Sequence, residues 1–300
     1  MAKPVVKSTK NFGRAVLPKC VIYGASGVGK TTLAKTAPFP LIISAEKGLL
    51  SLSDHDVPYV EIETFQDILD LFQWLTEDPE AKKFKTLIFD SITDVCETVL
   101  EYEKTQVNDK RQAYMALADK MMYILRQFRD LPQYAVVFLA KLDKIKDEAT
   151  GAVLFAPMMP GQALSKQLPY LVDEVFAFDL SQPDQNGKVN RFLRTARDWQ
   201  WDAKDRSGRL APVEKPDLSW VFDKLQGFHP QKLWYYSPDN AEYETMTGRQ
   251  AFDRMEEGID LTKVGNDASK EKHEAYMAKQ AEANKPKQDE PKQEDGSSEE

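Results

Sequence analysis

Eight residues, Gly24-Ala-Ser-Gly-Val-Gly-Lys-Thr31, follow the spacing G-x-x-x-x-G-K-[ST] in full. Glycines, one lysine and one hydroxyl in that order suit the holding of phosphate. Gly24, Gly27 and Gly29 open backbone conformations that are closed to other residues, so the N–H groups of Ala25, Ser26 and Val28 between them can turn toward an anion. A helix starting at Lys30 adds its N-terminus to the same concavity and brings Thr32 into its first turn. Lys30 would reach the β- and γ-phosphates of ATP, and Thr31 would place its hydroxyl on Mg²⁺.

Two carboxylates extend this chemistry. Asp90 closes the apolar run Thr86-Leu-Ile-Phe-Asp90. If that run is a strand of a parallel sheet, the carboxylate lies at the edge where ligands bind, beside Thr31 and the metal. A helix-capping role for Asp90 is compatible with the metal role. Glu46 stands two residues beyond the run Pro40-Leu-Ile-Ile-Ser44. An acid there could orient and deprotonate an attacking water while Lys30 and the metal carry the developing charge. The other reading of Glu46 is a solvated loop residue.

Elements must hold these groups together. Short apolar runs alternate with helix-like stretches over the first two-thirds of the chain, the pattern of an α/β fold with a mostly parallel central sheet flanked by helices. Strands are expected at residues 19–23, 40–44, 58–62, 86–90, 134–140, 174–178 and 190–195. Thr64 can cap a helix with Phe65, Ile68, Phe72 and Leu75 on one face and Pro79 beyond its end. Tyr114, Leu117, Met121, Ile124 and Phe128 recur at helical spacing in a long helical region that Pro132 stops. The expected division is an N-terminal arm over 1–17, a core over 18–226, a small C-terminal subdomain over 227–262 and a disordered charged tail over 263–300. Trp234, Tyr235, Tyr236 and Tyr243 could stack on bases or pack a subdomain, and the turn-rich composition favours packing.

The phosphate loop, Ser44-Ala-Glu46 and Leu87-Ile-Phe-Asp90-Ser91, in that order and approximate spacing, resemble the core of the RecA-type recombinases. Pro38-Phe-Pro-Leu, Leu168-Pro-Tyr-Leu-Val-Asp-Glu174-Val and Ala203-Lys-Asp-Arg-Ser-Gly208 narrow the resemblance to the phage-encoded single-strand annealing ATPases, AAA-type P-loop proteins of the RecA superfamily, over roughly residues 18 to 225. The resemblance implies a RecA-like P-loop NTPase fold, Glu46 as the catalytic glutamate and Asp90 as the metal-side aspartate. It also implies a DNA-binding loop after strand 134–140, where residues 142–162 carry Lys144, Lys146, Gly151 and Gly161. One position departs from the pattern. The family's γ-phosphate-sensing glutamine at the end of that strand is Lys141 here, and a lysine can contact phosphate directly.

The net charge of −8 sits mainly in a tail: the last twelve residues hold six acids and one lysine, so five of the eight negative charges lie there. The remainder is nearly neutral, and local charge must decide on nucleic acid. Residues 188–209 carry Lys188, Arg191, Arg194, Arg197, Lys204, Arg206 and Arg209, with Trp199 and Trp201 among them. Such a strip suits single-stranded DNA, cations holding phosphates and rings stacking on bases, or else it is an exposed hairpin with internal ion pairs. Lys204 and Arg206 are also catalytic candidates, as the cations that a neighbouring subunit of a ring or filament brings to the γ-phosphate.

Other classes are disfavoured. No apolar run approaches the ~20 residues of a membrane span, and no apolar stretch follows the basic N-terminus as in a signal peptide. Two cysteines, Cys20 and Cys96, and three scattered histidines fit a reducing cytoplasm, that of a bacterial host if the chain is phage-encoded, and give no zinc spacing. The expected protein binds and hydrolyses ATP, binds single-stranded DNA, and promotes annealing or recombination in a phage. It would form a homo-oligomer, with a single-stranded-DNA-binding protein as a further partner. The alternatives are a recombination mediator with mainly structural nucleotide, a P-loop kinase, and a packaging or helicase motor. The acidic residues 289–300 would compete for the basic strip or merely solubilise.

Overall fold

Every residue of β1 (Lys19–Gly24) is buried, the condition of a strand covered by helices on both faces. The computed structural model describes residues 8–9, 14, 16–46, 48–146 and 151–283, and the acidic run at 289–300 lies outside them. Two compact units divide the chain, Met1–Pro230 and Gln231–Glu300.

In the first unit, β1 leads through the phosphate loop into α1 (Lys30–Ala34), β2 (Pro40–Ser44) and β3 (Tyr59–Glu61). Then come α2 (Phe65–Glu77), β4 (Thr86–Asp90), α3 (Ile92–Gln106), α4 (Lys110–Arg129), β5 (Ala135–Lys146) and β6 (Val153–Met158). The unit closes with α5 (Gln162–Leu171), β7 (Glu174–Leu180), β8 (Arg191–Arg194), β9 (Lys204–Asp205), β10 (Val213–Glu214) and α6 (Leu218–Leu225). Among the described residues the strands form one sheet in the order β10-β8-β7-β1-β5-β4-β2-β3, with β6 beside β5 and β9 beside β7. The stretch from β7 to β3 is parallel throughout, and β6, β8, β9 and β10 add antiparallel pairs. This is the expected α/β architecture.

The period of two along each strand sorts the core into two layers. Val21, Leu41, Ile43, Leu87, Phe89, Val136 and Phe138 face α2, α3, α4 and α5. Cys20, Ile22, Ile42, Ile88, Val137 and Leu139 face α1 and α6. Thr64 caps α2 as expected, in a reciprocal bond with Asp67, a device worth about 1 kcal/mol. The long helical region is two helices, because the side chain of Asp109 caps a second start and accepts from Arg111 N–H. Residues 142–162 are not a long loop either. β5 runs on past the sheet to Lys146 and β6 returns beside it, pairing Lys141 with Met158 and Lys146 with Val153. Among the described residues no helix is long and apolar enough to cross a membrane.

In the second unit β12 (Glu242–Met246), β11 (Leu233–Ser237) and β13 (Thr262–Gly265) form a three-stranded antiparallel sheet. Tyr235 and Met246 pack with Ala251 of α7 (Gly248–Glu256) and with Leu261. On the strand positions that alternate with Tyr235, Trp234, Tyr236 and Tyr243 meet α8 (Asp267–Ala283). Lys270 lies 4.1 Å from the Trp234 ring, and the Tyr243 hydroxyl is 2.8 Å from His273 Nδ1. The aromatics therefore pack rather than stand free. The expected start of a disordered tail at residue 263 falls inside β13. The reason is backbone pairing with β11, which a composition poor in apolar residues does not reveal.

Candidate active site

Four adjacent strands, β1, β5, β4 and β2, bring polar residues to one edge of the sheet. Ser44 pairs with Asp90 across β2 and β4, and Gly24 pairs with Lys141 across β1 and β5. Because Ile42, Ile88 and Leu139 point to the α1 face, the alternation carries Ser44, Asp90 and Lys141 on that same face, beside the helix that the phosphate loop opens.

The loop has the required backbone. Gly29 has φ of 104° and precedes α1, a left-handed conformation that side chains rarely adopt. Gly24 is needed for a different reason: a Cβ there would stand 2.5 Å from the Phe178 carbonyl oxygen of β7. Lys30 Nζ donates to the carbonyls of Gly24 and Ala25 at 2.8 and 2.9 Å, so its ammonium lies over the loop. Burial lowers its pKa, opposed by the charges of Asp90 and Glu46.

Thr31 Oγ1 donates to Asp90 Oδ2 at 2.6 Å. Burial of Asp90 raises its pKa against that hydrogen bond, and Glu46 raises it further. Thr31 and Asp90 are hard oxygen donors, one hydroxyl and one carboxylate, which fits a Mg²⁺ ion held jointly by protein and phosphates rather than in an all-protein cage. Glu46 is exposed, two residues past β2, and its charge acts on Lys30, Asp90 and Lys141 alike. The structure thus brings together Gly24 to Thr32, Glu46 and Asp90.

It separates Lys204 and Arg206 from them. Lys204 pairs with Val175 on β7, and Val175 pairs with Val21 of β1, three residues before Gly24. Both cations therefore belong to the opposite edge of the sheet. Lys204 Nζ donates to the carbonyls of Pro169 and Val172, the latter at 2.6 Å, and Arg206 pairs with Asp173 at 2.6 Å. Within the chain neither reaches the phosphate loop, so neither serves this chain's own site; the expected role is at a neighbouring subunit's site. β8 ends at mid-sheet, and the chain makes an excursion through Trp199 and Trp201 before β9 resumes at the far edge.

Much of the basic strip is engaged internally. Arg194 pairs with Asp198 and lies over the Trp201 ring, while Arg209 donates to the Leu225 carbonyl. Arg191, read with the strip, sits instead on the phosphate loop, where its Nε donates to Val28 O at 2.8 Å. One group escaped sequence reading altogether. Asp94, whose backbone N–H is bonded to the Ser91 cap, forms an ion pair of 2.6 Å with Lys141. The Ser91-x-x-Asp94 spacing at a helix start was the available signal.

Fold and site together define a nucleotide-binding α/β protein of the P-loop class. A family model for an AAA domain, AAA_24, matches residues 17–207, and the chain belongs to that family of P-loop ATPases. No curated protein matches its sequence. Among solved structures it is similar to the KaiC-like protein PH0186 from Pyrococcus horikoshii OT3, at 13% identity and a TM-score of 0.31, over 59% of this chain and 76% of that one. It is also similar to the flagellar accessory protein FlaH from Methanocaldococcus jannaschii, at 12% identity and a TM-score of 0.38, over 70% and 92% of the two chains.

Proposed function

We propose that this chain hydrolyses ATP with Mg²⁺ and couples the nucleotide state to binding of single-stranded DNA, promoting annealing or recombination in a phage as a homo-oligomer. The observation that carries the ATPase part is the 2.6 Å bond between Thr31 and Asp90, with Lys30 over the loop and Glu46 at the neighbouring strand end. Thr31 and Asp90 would hold the metal, whose chemistry when bound is neutralisation of phosphate charge. Lys30 binds and orients the β- and γ-phosphates. Glu46 orients the attacking water and takes its proton.

Single-stranded DNA as partner rests on two further features. The β5–β6 hairpin projects from the ATP edge, and with the start of α5 it lines a hollow of about 530 Å³ that includes Lys144, Lys146 and Lys166. Trp199 is 76% exposed, and Arg197 beside it is exposed too. Cations and an open ring are what an unpaired strand requires. The internal engagement of Arg194, Lys204, Arg206 and Arg209 favours a second reading, a mediator that holds nucleotide structurally.

ATPase rate and filter binding with single-stranded DNA, each at two salt concentrations, test both. The proposal expects DNA to accelerate hydrolysis and binding to weaken as salt rises. Hydrolysis unmoved by DNA would favour the mediator, and neither binding nor stimulation would defeat the DNA reading.

A further inference from the structure

Besides Lys30, a second lysine of the same chain lies beside the phosphate site. Lys141 is the β5 residue opposite Gly24. It lies on the α1 face, two positions beyond the partner of Asp90. Its charge is felt by Lys30, and it feels Glu46 in turn. The ammonium is held 2.6 Å from Asp94 Oδ1, with the lysine side chain 36% exposed and the aspartate 15%. A partly exposed ion pair of this kind is weak, and the flexible four-carbon stem lets the head group move while the backbone stays.

The backbone at Lys141 is anchored separately. Its N–H donates to Thr93 Oγ1 at 3.1 Å, and the Thr93 hydroxyl donates to the Met158 carbonyl at 2.9 Å. One threonine therefore ties the strand end to the returning strand of the β5–β6 hairpin. Removing the Lys141 charge leaves those bonds in place.

We propose that Lys141 is a catalytic residue of this ATPase, a cation supplied from within the chain that exchanges Asp94 for the oxygens of the γ-phosphoryl group as hydrolysis proceeds. The inference rests on the ATPase reading above. In the step concerned, a bond forms from the water oxygen to the γ-phosphorus. The bond from that phosphorus to the β,γ-bridging oxygen breaks, with its electron pair passing to ADP. The proton lost by water passes through Glu46 to solvent. Negative charge grows on the bridging oxygen and is spread over the transferring group, and a second ammonium beside Lys30 stabilises that distribution more than it does bound ATP.

The test measures kcat and nucleotide affinity on the full chain for wild type, Lys141→Met, Lys141→Arg and Asp94→Asn. Lys141→Met keeps the stem and removes the charge. The expected result is a kcat lower by roughly 10²-fold or more with nucleotide affinity little changed, and recovery of most of the rate in Lys141→Arg. ADP with aluminium fluoride, which mimics the transferring phosphoryl group, should be retained by wild type and Asp94→Asn but not by Lys141→Met. A purely structural ion pair would make Asp94→Asn copy Lys141→Met in that assay, and this outcome overturns the proposal. So does a wild-type kcat in Lys141→Met. If wild type itself neither binds nor hydrolyses ATP, the ATPase reading falls and this assignment falls with it. If wild type and Lys141→Met hydrolyse equally, only the assignment falls.

Discussion

At the C-terminal edge of the parallel sheet, Lys30, Thr31, Asp90, Lys141 and Glu46 act on one another across four strand ends. At the N-terminal edge, Lys19, Lys204, Arg206, Glu174 and Asp205 are gathered just as closely, yet they serve the fold. Lys19 Nζ donates to the carbonyls of Leu131 and Tyr134, which lie just past α4, and Lys204 Nζ donates to Pro169 and Val172 at the end of α5. Each is a cation at a helix C-terminal region, where free carbonyls and the helix dipole want one. Lys30 also bonds carbonyls, but they are five and six residues away in the same loop. Those of Lys204 are 32 and 35 residues away and join separate elements. The sequence separation of a lysine's partners thus distinguishes a cation that ties elements together from one that stands over its own loop.

Lys30→Ala should break this contrast at its strongest point. Removing a loop-bound ammonium disconnects no elements, so thermal unfolding should be little changed. Hydrolysis should fall by on the order of 10³-fold, since the residue binds the group on which charge develops. Steady-state ATPase assays alongside calorimetry would show it. Loss of the folded state in Lys30→Ala would mean that the two edges are less different than their contacts indicate.

Lys204→Ala is the mirror experiment. It leaves two carbonyls without their partner, which costs about 1–3 kcal/mol. The midpoint of thermal unfolding should drop by several degrees for a unit of this size. ATP turnover per folded molecule should match wild type. Abolished turnover at full stability would instead support the reading in which Lys204 completes a neighbouring subunit's site.

How far the sequence carries follows from the range of each interaction. The phosphate loop and the strand ending at Asp90 are legible because motif and apolar period are local, and a parallel sheet with both faces covered leaves near-continuous apolar runs. Glu46 is legible by its position after Ser44. The edge at which Lys204 lies is not, because β8 and β9 are two pieces of one antiparallel path split by the excursion through Trp199 and Trp201, and register across such a break has no local signature. The hairpin of β5 and β6 is not legible because Gly151 and Gly161 read as loop residues, whereas the pairing of Lys141 to Lys146 is set by the returning strand. Lys141 was visible as a residue, but its partner Asp94 came from a helix cap nearly fifty positions earlier.

The smallest expected effect concerns Glu174, which is 4% exposed at the start of β7 and lies opposite Asp205 of β9. Burial first, and then the charge of Asp205, pushes its carboxyl up to about 8 from an ordinary 4.5. Asp205 is half-buried, yet the Ser207 hydroxyl and the Leu210 and Gly208 N–H groups hold its pKa down. The proton of the pair therefore resides on Glu174. A carboxyl whose folded pKa lies above its unfolded value contributes stability that is fully present below about pH 4.5 and is lost as pH rises through about 8. Glu174→Gln keeps an N–H donor for Asp205 and removes the titration. The difference in unfolding temperature, variant minus wild type, should therefore grow between pH 5 and pH 9, with each kcal/mol worth roughly 2–4 °C. ATP turnover at the other edge should be unaffected over the same range. Parallel stability curves would show that Glu174 is ionised in the fold, and that this edge, like the opposite one, balances its buried charges with counter-charges.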